Sequence, residues 1–232
     1  MTTYVLVHGA WHGAWCWRRV ARLLARDGHE VFAPTLTGLG ERSHLLSPAI
    51  GLDTHILDVV NEMKWQALKD VVLVGHSYGG MVISGVAEKM ESAIASLVML
   101  DAFMPENGQC LIDMQPQERR DPVLAAERSG ATTLPPRSAA DFHVNEQDRA
   151  FVDAQCTPQP IKCFTQKLAL TGARERIGKK PYIRATTYPS PYFDAGLARA
   201  RARNWRTYEL DCGHDVMLDM PERLAAILQD AA

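Results

Sequence analysis

What this chain lacks narrows it quickly. Its 25 basic and 27 acidic residues leave a formal charge of −2, so no basic excess is available to recognise nucleic acid or an anionic membrane surface. The arginines that do cluster (Arg199, Arg201 and Arg203) alternate with alanines and read as a solvated helix face. No apolar stretch approaches the roughly 20 residues that span a bilayer. Met1-Thr2-Thr3 runs into an apolar strand without a basic leader or cleavage site, so no signal peptide is expected. The five cysteines, Cys16, Cys110, Cys156, Cys163 and Cys212, are odd in number and form no CxxC pair. They read as reduced thiols of a cytoplasmic protein, not as a disulfide framework or a zinc site. Internal repeats and low-complexity segments are also missing. Gly9-Ala10-Trp11-His12-Gly13 is not the G-x-G-x-x-G of a dinucleotide site, and Trp11 would crowd a pyrophosphate. No metal or nucleotide cofactor is expected.

What is present is ordinary globular material. The chain has 232 residues, 47% hydrophobic and 22% charged, enough for one buried core and short for two. Short apolar strands alternate with helical patterns. Tyr4–His8, His29–Pro34, Val71–Gly75 and Ile94–Asp101 are strand-like, as are Tyr182–Thr187 and Trp205–Leu210 later on. Helices are expected over Trp17–Asp27, closed by Gly28; from an Asp53 or Thr54 cap to about Leu68; and over Gly80–Met90. A last helix begins after Asp219, with Pro221 in its first turn and Leu224, Ile227 and Leu228 on one face. Continuous apolar strands between helices imply an α/β fold with a mostly parallel sheet of about six strands, covered on both faces. Ligands of such sheets bind beyond the carboxyl ends of the strands. Residues 105–180 hold no comparable strand. They are expected to form a helical lid inserted into a core made of residues 1–104 and 181–232.

Gly75-His76-Ser77-Tyr78-Gly79 matches G-x-S-x-G, a pattern too short to mean much alone. Here it directly follows VVLV and opens a helix, as a nucleophile elbow requires. Ser77 must then occupy a strained strand-to-helix turn, and small residues at 75 and 79 let the two backbones pass. Oxyanion donors are expected from the backbone amides of Tyr78, next after the nucleophile, and Ala10, in the loop after the first strand. His8 and His12 in that loop are expected to bond backbone near the glycines. Among eight histidines, His214 lies between the last strand and the final helix, the place for a general base. The acid is less direct. The strand ending near Thr187 leads into Thr187-Tyr188-Pro189-Ser190, which has no carboxylate, and Asp194 stands beyond two prolines. Asp101 closes the apolar run Leu97–Leu100, where a carboxylate is costly without a partner. Asp101 is therefore the expected acid, Asp194 the alternative, and Asp215 is badly placed to reach the adjacent His214 ring.

With these residues assembled, the chain resembles the α/β-hydrolases related to plant methyl-ester esterases and hydroxynitrile lyases. The resemblance rests on VLVHGAWHGAWCW (Val5–Trp17), GHSYGG (Gly75–Gly80), LDAFMPENG (Leu100–Gly108) and GHDVML (Gly213–Leu218). It implies the α/β-hydrolase fold and a Ser77, His214, Asp101 triad without cofactor. The plant members place the acid near position 188, whereas some other α/β-hydrolases carry it where Asp101 stands. The lyases have a threonine and a lysine where this chain has Gly9 and Asp215, which argues against cyanohydrin cleavage. Similarity to bacterial esterases of aromatic carbamates and synthetic esters implies a small apolar or aromatic ester or carbamate ester as substrate, and an acyl-enzyme intermediate. Trp11, Tyr78, Phe103, Phe142, Phe151 and Phe164 are candidates to shape the pocket, Trp11 and Phe103 foremost. No nucleic-acid or membrane partner is expected, and a homodimer is left open. The rival readings are a cofactor-free lyase or oxygenase, and a non-catalytic small-molecule receptor on the same fold.

Overall fold

The computed structural model describes residues 1–232. The chain opens with β1 (Thr3–Val7), α1 (Arg18–Arg26), β2 (Glu30–Phe32), α2 (Leu52–Trp65), β3 (Val71–His76), α3 (Gly79–Met90) and β4 (Ile94–Leu100). A long excursion follows, with α4 (Gln117–Arg128), β5 (Thr133–Leu134), α5 (Glu146–Gln155), β6 (Gln159–Pro160) and the one-turn helices α6 (Lys162–Thr165) and α7 (Ala173–Arg176). The chain then returns through β7 (Tyr182–Ala185), α8 (Pro191–Ala202), β8 (Thr207–Leu210), α9 (Val216–Asp219) and α10 (Pro221–Asp230).

Six strands form one sheet in the order β2-β1-β3-β4-β7-β8, and every pairing in it is parallel. The two central strands explain why. All six residues of β3 are buried, as are six of the seven in β4, so both faces must be covered, which parallel crossovers through helices achieve. Leu73 lies in register between Val5 of β1 and Leu97 of β4. Because all strands run the same way, the segments that follow β1, β3, β4 and β8 emerge at one edge of the sheet, and those are the segments that carry Ala10, Ser77, Asp101 and His214.

Three local expectations differ from the structure. Gly51, not Asp53 or Thr54, caps α2; the Thr54 hydroxyl instead accepts from Gly51 N at 3.4 Å, and the Asp53 carboxylate takes the Gln166 side-chain amide. Asp219 ends α9, and Met220 precedes α10. The Asp219 carboxylate is occupied elsewhere, by Gly213 N at 2.9 Å and the Asn145 side chain at 2.7 Å. The excursion is not wholly helical either: β5 and β6 pair antiparallel as a two-residue ribbon, too short to show a period in sequence.

Candidate active site

Ser77 sits between β3 and α3 with φ +54°, the left-handed region that costs a non-glycine residue about 1–3 kcal/mol. Its backbone is held on both sides. Ser77 N donates to Leu100 O at 3.1 Å, and Ser77 O accepts from Gly80 N at 3.0 Å and Phe103 N at 3.1 Å. The tight passage depends on its glycines. A Cβ on Gly75 would lie 2.6 Å from Gly79 O, and one on Gly79 would lie 2.8 Å from Val7 O, both far inside van der Waals contact.

Asp101 follows β4 with φ +41° and is fully buried. His214 Nδ1 donates to Asp101 Oδ2 at 2.6 Å, a charge-assisted bond that leaves Nε2 as the free nitrogen. Asp101 Oδ1 accepts from Ala185 N at 3.2 Å and Arg184 Nη1 at 3.0 Å. Asp194 is elsewhere: its exposed carboxylate takes Arg184 Nε at 2.8 Å, so it stands behind the arginine, not on the imidazole. The His214 ring is gripped by Phe193 and Tyr188, with ring centroids 5.1 and 4.7 Å away. Its backbone N donates to Phe142 O at 2.9 Å. Ser77 and His214 line one cavity, together with Ala10 and Tyr78, whose backbone N–H groups donate to no other backbone carbonyl. Contacts between nucleophile and base in such sites tighten when substrate is bound.

The alpha/beta hydrolase family model matches residues 4–227. The chain belongs to the alpha/beta hydrolase family. It is 40% identical over 235 aligned positions to the carbendazim hydrolyzing esterase of a Nocardioides species, with 97% of each protein covered. It is 38% identical over 105 residues to Methylesterase 1 of Arabidopsis thaliana, covering 44% of this chain and 40% of that protein. Among solved structures it superposes with a TM-score of 0.88, at 26% identity and over 100% and 99% of the two chains, on an extracellular alpha/beta-hydrolase from a Paenibacillus species, described as sharing structural and functional homology with tobacco Salicylic Acid Binding Protein 2.

Four buried histidines besides His214 surround the candidate site. His76 Nε2 donates to His214 O at 3.0 Å and lies 3.9 Å from Asp215 Oδ1, and hydrogen bonds assign the protons of the other three. His8 Nδ1 donates to Gly9 O at 2.8 Å while its Nε2 accepts from Leu36 N at 3.1 Å, so it is neutral; burial pushes its pKa down to about 3. His55 Nε2 donates to Thr37 O at 3.0 Å and its Nδ1 accepts the Tyr78 hydroxyl at 2.9 Å, again a neutral ring, pushed down to about 4 by burial. His12 differs. Its Nδ1 donates to Ala10 O at 2.7 Å and its Nε2 donates to Asp215 Oδ2 at 3.0 Å. Burial opposes charge on both groups, but their attraction and hydrogen bond outweigh it. His12 is raised and Asp215 is held well below the usual carboxylate range. The two form a buried ion pair that ties the Ala10 loop to the His214 loop.

Sequence reasoning missed further contributors. Arg184, the lone charge in the apolar strand Tyr182–Ala185, was visible as an anomaly; a buried arginine needs a carboxylate. Gln159 of β6 gave no signal. Its Oε1 accepts from Trp11 N at 2.7 Å, and Thr157 N donates to Trp11 O at 2.9 Å. These bonds from the inserted segment hold Trp11, itself at φ +64°, beside Ala10.

The cavity has a volume of about 470 Å³, and 13 of its 21 lining residues are hydrophobic. Trp11, Tyr78, Phe103, Phe142 and Phe164 line it; Phe151 does not, and packs edge-on against Trp15 at 5.3 Å. No group of three or more His, Cys, Asp or Glu side chains is arranged to hold a metal ion. A Cβ on Gly9 would lie 2.9 Å from His76 Nδ1 and 3.0 Å from Ser77 Cβ, so the His76 ring and Ser77 together close that position to a side chain.

Proposed function

We propose that the chain is a serine carboxylesterase that cleaves a small apolar or aromatic ester or carbamate ester through an acyl-enzyme. The observation that carries this reading is the 2.6 Å bond from His214 Nδ1 to buried Asp101, with Ser77 and His214 on the wall of the same aromatic cavity. His214 Nε2 takes the Ser77 proton as Oγ attacks the ester carbonyl. The negative charge that develops on the carbonyl oxygen is received by the Ala10 and Tyr78 amides, each such donor being worth about 10²–10³ in rate. His214 then protonates the departing alcohol and activates water, which releases the acid and restores Ser77. Asp101 holds the Nδ1–H tautomer throughout. The excursion between β4 and β7 acts as the lid of this pocket, supplying Phe142 and Phe164 to its lining.

The carbendazim hydrolyzing esterase, matched over 97% of this chain, supports the ester-cleaving reading, with a carbamate ester among the substrates to test. All five cysteines are free, which supports a reducing, cytoplasmic setting. No helix is long and apolar enough to cross a membrane.

The test is hydrolysis of p-nitrophenyl acetate and butyrate by wild type, Ser77→Ala, Asp101→Asn and Asp194→Asn. Ser77→Ala should be inactive while folded, Asp101→Asn should lose about 10⁴ in kcat through the wrong histidine tautomer, and Asp194→Asn should stay near wild type. An active Ser77→Ala removes the mechanism. A crippled Asp194→Asn beside a healthy Asp101→Asn moves the acid to the loop after β7.

A further inference from the structure

One polar feature of the cavity is not used by ester cleavage. No aspartate or glutamate is among its 21 lining residues, yet two arginines are, Arg119 and Arg137. Neither makes an ion pair: no carboxylate lies within 4 Å of either guanidinium. Arg119 is exposed on α4 next to Glu118, and both charges act on Tyr192 at the cavity wall, so its charge is partly offset. Arg137 is the better-placed group. It is half-buried, follows the stiff pair Pro135-Pro136, stacks over the Phe142 ring with its guanidinium carbon 5.0 Å from the centroid, and donates from Nη1 to the Tyr188 hydroxyl at 3.3 Å. Phe142 and Tyr188 are two of the rings that surround His214.

A guanidinium has five donors in a planar fork. One stack and one hydroxyl leave most of them without a protein partner, at the wall of a largely apolar cavity that holds no counter-charge. We infer that Arg137 is an anion subsite of the acyl pocket, and that, beside neutral apolar esters, the esterase takes esters whose acyl part ends in a second carboxylate, a half-ester of a dicarboxylic acid being the simplest case. The ester end reaches Ser77 while the free carboxylate pairs with Arg137 beside the Phe142 ring through a charge-assisted fork. The inference rests on the serine-esterase reading of the same site.

Two chromogenic esters with one leaving group test it: p-nitrophenyl hexanoate, which is neutral, and p-nitrophenyl hydrogen adipate, which adds the distal carboxylate. In Arg137→Leu, kcat/KM for the adipate ester should fall about 10- to 100-fold, the range of a lost hydrogen bond to a charged group, mainly through KM. The hexanoate ester should change less than about 3-fold, which also certifies the variant's fold. Arg137→Lys should keep part of the adipate activity, and 0.5 M salt should erode that of wild type. If Arg137→Leu lowers both esters equally, Arg137 is a packing residue and the inference fails while the esterase stands. If wild type cleaves hexanoate but the adipate ester is no better a substrate in wild type than in Arg137→Leu, it also fails. Wild type inert to both esters refutes the esterase reading and the inference together.

Discussion

The buried pair His12–Asp215 can be tested by asking how the protein's stability depends on pH when Asp215 is changed. Asp215 is fully buried and His12 is 1% exposed, so the pair is shielded from solvent, and deleting one partner of such a pair costs about 3–5 kcal/mol. Histidine has an escape that lysine or arginine lacks. Near pH 7, above its ordinary value of about 6.5, shedding the proton costs little. Neutral His12 can still donate from Nδ1 to Ala10 O, but its Nε2 then needs a donor. Asp215→Asn can supply one and should lose about 1–2 kcal/mol at pH 7.5, whereas Asp215→Ala cannot and should lose about 3 kcal/mol or more. At about 2–4 °C per kcal/mol for a chain of this size, that is roughly 6 °C or more in Tm. The pH dependence follows from the directions of the two shifts. His12 is raised in the fold, so its contribution is complete below about pH 6.5 and is lost as the pH rises through its folded value. Asp215 is depressed, so its contribution is present above about pH 3.9 and is lost only as the pH falls through its folded value. Between pH 5.5 and 8 Asp215 stays ionised and His12 alone titrates. The wild-type advantage over Asp215→Asn, in which His12 is neutral, should therefore widen as the pH falls through the raised folded value of His12, by up to about 1.4 kcal/mol per unit. Urea denaturation followed by tryptophan fluorescence at pH 5.5, 6.5, 7.5 and 8 reads this directly. A gap that stays constant, or widens with rising pH, would mean that His12 is neutral and the ion pair does not exist.

Gln159→Leu should orphan Trp11 N–H and loosen the Ala10 loop, lowering kcat on p-nitrophenyl butyrate by about 10-fold or more with little change in KM, bounded by the 10²–10³ of a deleted oxyanion donor; an unchanged kcat would show that the loop holds itself. Arg184→Met should remove Asp101's cationic partner, and with it about 3–5 kcal/mol of stability in urea denaturation. It should cost more than Asp194→Asn, which touches only the exposed face of the arginine; equal losses would show that Asp194, not Asp101, is the partner that matters to Arg184.

Much of the scaffold was legible because its signals are local. VVLV followed by GHSYGG specifies a buried strand, a strained serine and a helix within ten residues, and β3, Ser77 and α3 stand there. His214 was legible by position, being the one histidine between the last strand and the last helix. Asp101 could be favoured because a carboxylate ending an apolar strand needs a partner, but which partner is a tertiary fact: His214 is 113 residues away and Arg184 is 83. The same holds for Asp215. Its place beside His214 showed only that it could not serve that ring, and its actual partner, His12, lies 203 residues back. Gln159 was invisible for another reason. A two-residue ribbon has no period, and a glutamine that bonds a backbone amide looks like any loop glutamine.

Arg184 also accounts for why a carboxylate can be placed after β4 here. A fully buried Asp101 with only the imidazole for a partner would lose its counter-charge whenever His214 is neutral, which under the proposed mechanism is its resting form. Strand β7 carries the cation: Arg184 reaches Asp101 from within the sheet, and is itself anchored by Tyr188 O at 2.8 Å and by Asp194. Position 188 holds a tyrosine whose ring stacks on His214 and whose hydroxyl meets Arg137. Asp101 thus keeps a permanent counter-charge in Arg184, and Tyr188, which follows the same strand, stacks on the ring that Asp101 holds.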